Sequence, residues 1–479
     1  MNANFDNLLN NINHIKKKFW SYVKSKTNSH HIPELVSYGN QMKSNRKDQC
    51  TLFNDFFCDQ FSESSDYNIQ IDFSNDKFYK LNFSEENIAS LLNNLDSNKS
   101  QGPDEIHGRI LKNCSSSLNK PLSLLFRKSY ETSKIPNEWK FANVVPIHKK
   151  GSKVDVCNYR PISLISIVMK TYERIIRDEL LNRCGHLIDD RQHGFMNEKS
   201  CCTQLVTFCD SLALTLNDNI RTHVIYFDFQ KAFDSVNHDI ILEKLKFQYG
   251  IDGLLLNFLV NYLKNRLQRV VIGNESSSYR QVISGVPQGS IIGPTLFVLF
   301  INDIIQCVTP GTNIALYADD TKIWRPIKTQ DDHWILQNDI NSLSQWATRN
   351  KMKFHPDKSK VLDVYNGTVC INSFSYTLNS KTIEYTPREK DLGVHIVPKL
   401  TWTEHSNILY SRANQRLGML KRNCDFVKNV EKRRILFLAQ VRSQFEHCPV
   451  VWQPQSKTVL NKLESVQKRV TFSSHCVIS

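Results

Sequence analysis

The chain has 479 residues, 40% of them hydrophobic, an ordinary globular composition long enough to bury cores in about two to four packed subdomains. Its 61 Lys and Arg against 47 Asp and Glu leave a formal charge of +14, an excess that suits a polyanionic partner such as nucleic acid. The 13 Cys show no CxxC or zinc-knuckle spacing, which excludes a disulfide framework, while the N-terminus carries no signal-like apolar core and the longest apolar run, residues 296–301, is too short for a membrane span; an intracellular protein of nucleus or cytoplasm, with no membrane partner, is expected.

Residues 1–83 read as an N-terminal connector, with a short amphipathic start and polar stretches such as residues 62–66. Ser84 is a good N-cap, Glu85 and Glu86 suit a helix N-terminus, and Ile88, Leu91, Leu92 and Leu95 fall on one face, so a helix begins there and ends in the loop 97–103. A further helix covers 118–131, Pro136 breaks the pattern, and residues 142–147 read as a short strand. Residues 149–161 are polar and basic, and 164–181 read as a helix with apolar positions on one side; a basic loop beside a helix suits a phosphate surface.

The middle of the chain alternates differently. Residues 223–229 are a compact apolar run rich in β-formers, 239–249 are helical, 269–272 with 280–283 form a hairpin, and 312–323 form another with residues 317–320 at its tip. This order predicts an α+β fold, an antiparallel sheet backed by helices rather than a doubly wound one. The last 80 residues read as mainly helical, and residues 401–479 hold 13 basic and 5 acidic side chains, so +8 of the +14 lies there.

Asp228 ends the apolar run 224–227, and the pair Asp319 and Asp320 follows the run 314–318. Either feature alone reads as a turn or cap. Together, directly after buried-type residues, they are carboxylates that call for a compensating cation. Nucleotidyl transfer uses two divalent ions about 4 Å apart, and magnesium is held by few protein carboxylates, so such a site is sparse in sequence. Neighbouring strands of one sheet would bring the candidates together.

The segment YFDFQKAFDSV (226–236) resembles the first catalytic motif of LINE-type (non-LTR) retrotransposon reverse transcriptases, and LYADD (316–320) resembles their metal-binding tetrad. SGVPQGSIIGPTLFVLFIND (284–303) matches the segment between, and GPDEI (102–106), residues 139–150, NYRPISL (158–164), QHGF (192–195), residues 350–361 and DLGVHIVPKLTWTEH (391–405) occur in the family's order. The resemblance runs over about residues 84–470 and is nearest to jockey-like elements. It implies a right-hand polymerase: fingers and the start of the palm over 84–222, palm over 223–395, and a helical thumb-like region over 396–479, truncated, with residues 471–479 departing from the pattern. Ile291, Ile292 and Phe300 are conservative departures.

The implied activity is RNA-directed DNA polymerisation, transferring nucleotides from dNTPs to the 3′-hydroxyl of a DNA primer or target DNA on an RNA template. The implied cofactor is two Mg2+ ions, with Mn2+ as a substitute. Asp228 and Asp319 would bridge both ions, Asp320 would support them electrostatically, and the Phe229 carbonyl would complete the ligands. Phe233 would exclude a 2′-hydroxyl. Arg160 and one of Lys149 or Lys150 would hold the triphosphate, Gln288 with Gly289 would line the nucleotide pocket, and Lys358 would donate a proton to pyrophosphate. Leu392 and Gly393 would form the primer-grip turn, and Arg412, Arg416, Lys421 and Arg422 would face the template and primer backbones from a thumb helix. Two competing readings are a viral RNA-dependent RNA polymerase, built on Asp228 and Asp234 but disfavoured by Phe233 and Ala318, and a catalytically inactive remnant that only binds nucleic acid.

Overall fold

The computed structural model describes residues 32–62, 81–367, 374–424, 427 and 429–471; the amphipathic start, most of the polar stretch 62–66 and the segment from 472 onward lie outside the described residues. A hairpin of β1 (Val36–Tyr38) and β2 (Gln41–Lys43) leads into α1 (Arg46–Cys58), where Asn45 accepts the N–H of Lys47 as N-cap. This helix lies in the stretch expected as a connector, yet Phe53, Phe56 and Phe57 pack in one cluster with Val144, Val156, Tyr159 and Val270. Rings at i, i+3 and i+4 give a helix one apolar face, which must be buried against something. The buried Asn54 adds hydrogen bonds to Ser277 Oγ (3.1 Å) and from Gln268 Nε2 (3.2 Å).

α2 (Glu85–Asn93) starts at Ser84 as expected, the hydroxyl accepting from Asn87 N–H at 3.2 Å, and α3 (Gly108–Asn113) and α4 (Ser115–Glu131) follow. β3 (Phe141–His148) turns through the basic loop into β4 (Tyr159–Ile165), so the helix expected from residue 164 begins later, as α5 (Ile167–Cys184). Burial alternates along Tyr159–Ile165 as in a strand, and Ser166, accepting from Met169 N–H, marks the true helix start.

α6 (Cys201–Asn217) precedes β5 (Arg221–Phe227), and α7 (His238–Phe247) and α8 (Gly253–Leu263) precede β6 (Arg266–Ile272), β7 (Glu275–Ser276) and β8 (Arg280–Val282). α9 (Gly293–Ile301) is buried at every position but Pro294. Then come β9 (Asn313–Tyr317), β10 (Asp320–Ile327), α10 (Gln330–Arg349) and β11 (Lys360–Val364). Short strands β12 (Thr377–Leu378), β13 (Lys381–Thr382), β14 (Glu384–Tyr385), β15 (Glu389–Asp391) and β16 (Val394–Ile396) follow. The C-terminal part is helical, with α11 (Thr403–Asn423), α12 (Val430–Gln440), α13 (Pro449–Trp452) and α14 (Lys457–Thr471).

The central sheet has the order β14-β11-β5-β10-β9 and is antiparallel except where β14 runs along β11. Ile225, Phe227, Leu316, Ile323 and Val361 enter the large core with α5, α7, α8, α9 and α10, while Val224, Trp324 and Leu362 pack on the other face with α6 and with Val451 and Trp452. The expected antiparallel sheet backed by helices is therefore present, and it is covered on both faces.

A second sheet has the order β4-β3-β6-β7, with β8 also on β6. The expected hairpin is divided: β8 pairs with residues 266–268 and β7 with 271–272, while β6 runs parallel to β3. Residues 266–282 thus join the strands of the basic loop rather than the central sheet. Parallel pairing of strands distant in sequence leaves no local turn signal to read. Among the described residues, no helix is long and apolar enough to cross a membrane.

Candidate active site

Phe227 on β5 lies opposite Thr321 on β10, and carrying that ladder one residue further sets Asp228 opposite Asp320. Directly opposed residues of antiparallel strands have Cα atoms about 5 Å apart. Asp319 sits in the tight connection between β9 and β10, after Ala318, whose φ of 56° is left-handed. The predicted carboxylates thus meet at one end of the central sheet. Asp228 and Asp320 border a cavity of about 210 Å³ that Tyr226, Lys322, Lys358 and Asp391 also line.

Burial raises the carboxyl of Asp319 above its ordinary range, with repulsion from Asp228 adding to it and Arg160 and Lys149 opposing it. Burial pushes Asp320 up to about 6, reinforced by Asp319, Asp391 and Asp228. Asp320 is open to solvent on one side and walled by protein elsewhere, so its charge is poorly hydrated although reachable. Lys358 Nζ, 3.2 Å from Asp228 Oδ2, forms an ion pair with the first of these acids. Carboxylates crowded together at the mouth of a cavity fit a bound cation. Among the described residues, there is no group of three or more His, Cys, Asp or Glu that could hold a metal ion; magnesium is commonly held by one or two protein carboxylates together with substrate and water oxygens.

The other predicted residues divide into those brought to this end and those that are not. Lys149 follows β3 and, though exposed like Lys150, has an ammonium that responds to Arg160 and Asp228 and acts in turn on Asp319. Burial, then Arg160, lowers the Lys149 pKa, while Asp228 opposes that shift. Phe229 is buried with its ring stacked on Phe354 at 4.2 Å, which holds the chain just beyond Asp228, and His355 N–H donates to Asp228 O at 2.7 Å. Phe233 stacks on Phe297 at 4.4 Å and meets the edge of exposed Phe195 at 6.1 Å, so its ring is held in a fixed plane.

Gln288 does not present a free carboxamide, because its Nε2 donates to Asp234 Oδ1 at 2.8 Å; its main-chain carbonyl accepts from Ser163 N–H at 2.8 Å. Gly289, at φ 135°, lies so near β4 that a Cβ would stand 2.4 Å from Ser163 O. Burial raises the carboxyl of the half-buried Asp234 to about 6, with Gln288 and Lys231 opposing. Leu392 (φ 43°) and Gly393 (φ 97°) form the expected tight turn between β15 and β16, and His447 Nε2 donates to Leu392 O at 2.7 Å.

The expectation for the thumb helix needs correction. Arg412, Arg416, Lys421 and Arg422 all lie on α11, but Arg412 and Lys421 are nine residues, about two and a half turns, apart and point to opposite sides. Arg416 turns toward α12, its Nη1 3.5 Å from Gln440 Oε1, and burial lowers its pKa. No single face carries all four. Sequence spacing predicted a basic helix; the way Leu409, Ala413, Leu417 and Leu420 are buried sets which flank each charge takes.

Several residues that support the site were not foreseen. Gln192 is buried, and its Oε1 accepts from both Gly194 N–H (2.7 Å) and Ala318 N–H (3.0 Å). The buried Lys322 pairs with Asp391 and donates to Gln204 Oε1 at 3.0 Å, tying β10 to the β15–β16 turn. Glu173 on α5, wholly enclosed, accepts from Tyr262 Oη (2.7 Å) and Ile291 N–H (2.6 Å) and so steadies the segment after Gly289; burial raises its pKa. A Lys inside an apolar strand was a readable sign of a buried partner. The identity of that partner was not.

Residues 147–395, just over half of the chain, match the family described as reverse transcriptase (RNA-dependent DNA polymerase). The chain is 26% identical over 407 residues to the probable RNA-directed DNA polymerase from transposon BS of Drosophila melanogaster, covering 80% of this chain and 44% of that one. It is 30% identical over 333 residues to the RNA-directed DNA polymerase from mobile element jockey of the same species, covering 67% and 36%. It therefore spans less than half the length of these relatives. With the candidate carboxylates at one end of a mainly antiparallel sheet and these likenesses together, the chain belongs to the reverse transcriptase (RNA-dependent DNA polymerase) family, as a jockey-like, LINE-type member with the right-hand polymerase fold.

Proposed function

We propose that the chain is the RNA-directed DNA polymerase of a non-LTR retrotransposon, extending a DNA primer or target-DNA 3′-hydroxyl with dNTPs on an RNA template. The observation that carries this reading is the ladder that sets Asp228 opposite the turn bearing Asp319 and Asp320. Residues 84–222, 223–395 and 396–479 correspond in this reading to fingers with the start of the palm, palm, and thumb, preceded by the segment 1–83.

Asp228 and Asp319, with Asp320 and the Phe229 carbonyl in support, are the groups that would hold two divalent ions, Mg2+ or in its place Mn2+. When bound, the ions supply activation of the primer hydroxyl and charge neutralisation at the triphosphate. The protein's own part is positioning and electrostatics. Lys149 and Arg160, whose charges act on Asp319 from the strand side, are placed to receive the triphosphate, and Lys358 to exchange its carboxylate partner for a phosphate oxygen. Phe233, locked by Phe297, presents a ring edge where a 2′-hydroxyl would have to fit. The Leu392–Gly393 turn and exposed Arg412 would guide the primer strand.

Primer extension by the purified chain, with an RNA template, dNTPs and magnesium, tests the proposal. Extension that disappears in Asp319→Ala is the expected result. NTP incorporation in place of dNTPs would favour an RNA polymerase, and nucleic-acid binding without extension in the parent would leave only a binding remnant.

A further inference from the structure

We propose that Gln192 is a positioning residue for the Asp319 carboxylate, acting through the backbone of the turn that carries it. The inference rests on the polymerase reading and adds to it a residue outside the carboxylates and the nucleotide contacts. Gln192 is fully buried beside β9, where His193 N–H donates to Leu316 O (2.9 Å) and Leu316 N–H donates to Arg191 O (3.0 Å). Its side-chain oxygen accepts the N–H of Ala318, the residue immediately before Asp319, and the N–H of Gly194. Gly194 is pressed against the same turn so closely that a Cβ there would stand 2.3 Å from Ala318 N.

Ala318 needs this hold. Its φ of 56° is a conformation that a Cβ disfavours and that glycine would adopt freely. An alanine held there requires surroundings that over-determine it. The buried Ala318 N–H also requires an acceptor, and the carboxamide supplies one without adding a negative charge beside Asp319 and Asp320. Gln192 thus fixes the peptide that aims Asp319 and leaves the local charge unchanged.

The test is Gln192→Met, which keeps length and apolar bulk and removes the acceptor. In the metal-free protein, amide exchange across residues 315–320 is expected to accelerate about tenfold or more, with protection of the core helix α9 retained. In primer extension, kcat is expected to fall about tenfold or more with little change in the dNTP KM, since a misplaced reacting group costs rate more than binding. Adding Ala318→Gly, which makes the left-handed turn available without the carboxamide, is expected to restore part of the lost kcat. Unchanged exchange at the turn overturns the proposal, and so does a kcat loss that Ala318→Gly does not relieve. Failure of the parent chain itself to extend a primer would instead defeat the polymerase reading, while the exchange measurement would still judge the hydrogen bond.

Discussion

Replacing Lys322 by Met removes one charge from a pair that is almost wholly shielded, Lys322 being 2% and Asp391 6% exposed. Its ammonium pairs with Asp391, donates to Gln204 Oε1 at 3.0 Å and lies 4.1 Å from the centre of the Phe208 ring. Met fills much of the alkyl stem's volume, so cavity formation is a small part of the effect. What remains is a carboxylate buried without its partner, which costs roughly 3–5 kcal/mol. Against a typical global stability of about 5–15 kcal/mol, that is a large fraction. The cost falls on the junction between β10 and the β15–β16 turn, so it is best read there, by hydrogen exchange across residues 389–396 and by the urea midpoint. The double variant Lys322→Met with Asp391→Leu is expected to recover most of the loss, because an apolar pair avoids the desolvation that the ion pair has to offset. Lys322 also opposes the rise in the Asp320 pKa, so its loss raises that carboxyl further in the metal-free protein. A single variant within about 1 kcal/mol of the parent, or a double variant no better than the single, would refute the reasoning.

Asp320→Asn is expected to stabilise the metal-free fold while lowering activity. A carboxyl at about 6 in the folded chain against 3.8 in the free one binds its proton more tightly when folded, so its ionisation costs stability as pH rises through that window. The gain from Asn is therefore full above about pH 6 and absent below about pH 4, and a gain that grew toward acid would contradict the sign. Lys149→Ala is expected to raise the dNTP KM about tenfold and Lys150→Ala only slightly, because the Lys149 charge is among the main ones acting on Asp319; equal effects in steady-state kinetics would reject that assignment. Phe233→Ala should admit ribonucleotides, measured as the ratio of kcat/KM for dNTP and NTP, and an unchanged ratio would dismiss the steric gate. Gly289→Ala should lose roughly 2–3 kcal/mol in thermal unfolding, from its φ of 135° and the 2.4 Å approach to Ser163 O, and a loss near zero would mean that β4 yields easily.

Local chemistry along the chain was enough to place much of this architecture. Ser84 followed by two Glu and a periodic apolar face starts α2 where expected, and the apolar runs before Asp228 and Asp319 form β5 and β9 of one sheet, with β10 between them pairing with both. The Leu392–Gly393 turn was readable only through the family resemblance, and its left-handed glycine is what such a tight connection favours. These features depend on residues close in sequence, or on words long enough to identify their family.

Features that depend on distant partners escaped. Nothing local to β6 says that it runs parallel to β3, and nothing near α1 names the sheet that covers its aromatic face, so a segment taken for a connector is part of a core. Two adjacent lysines look alike until the fold turns one toward Asp228, and four basic residues on α11 look like one surface until its buried leucines orient the helix. Gln192 and the Lys322–Asp391 pair make the same point at the site. A polar side chain's role is set by the group that satisfies it, and here that group is brought in by packing from far along the chain.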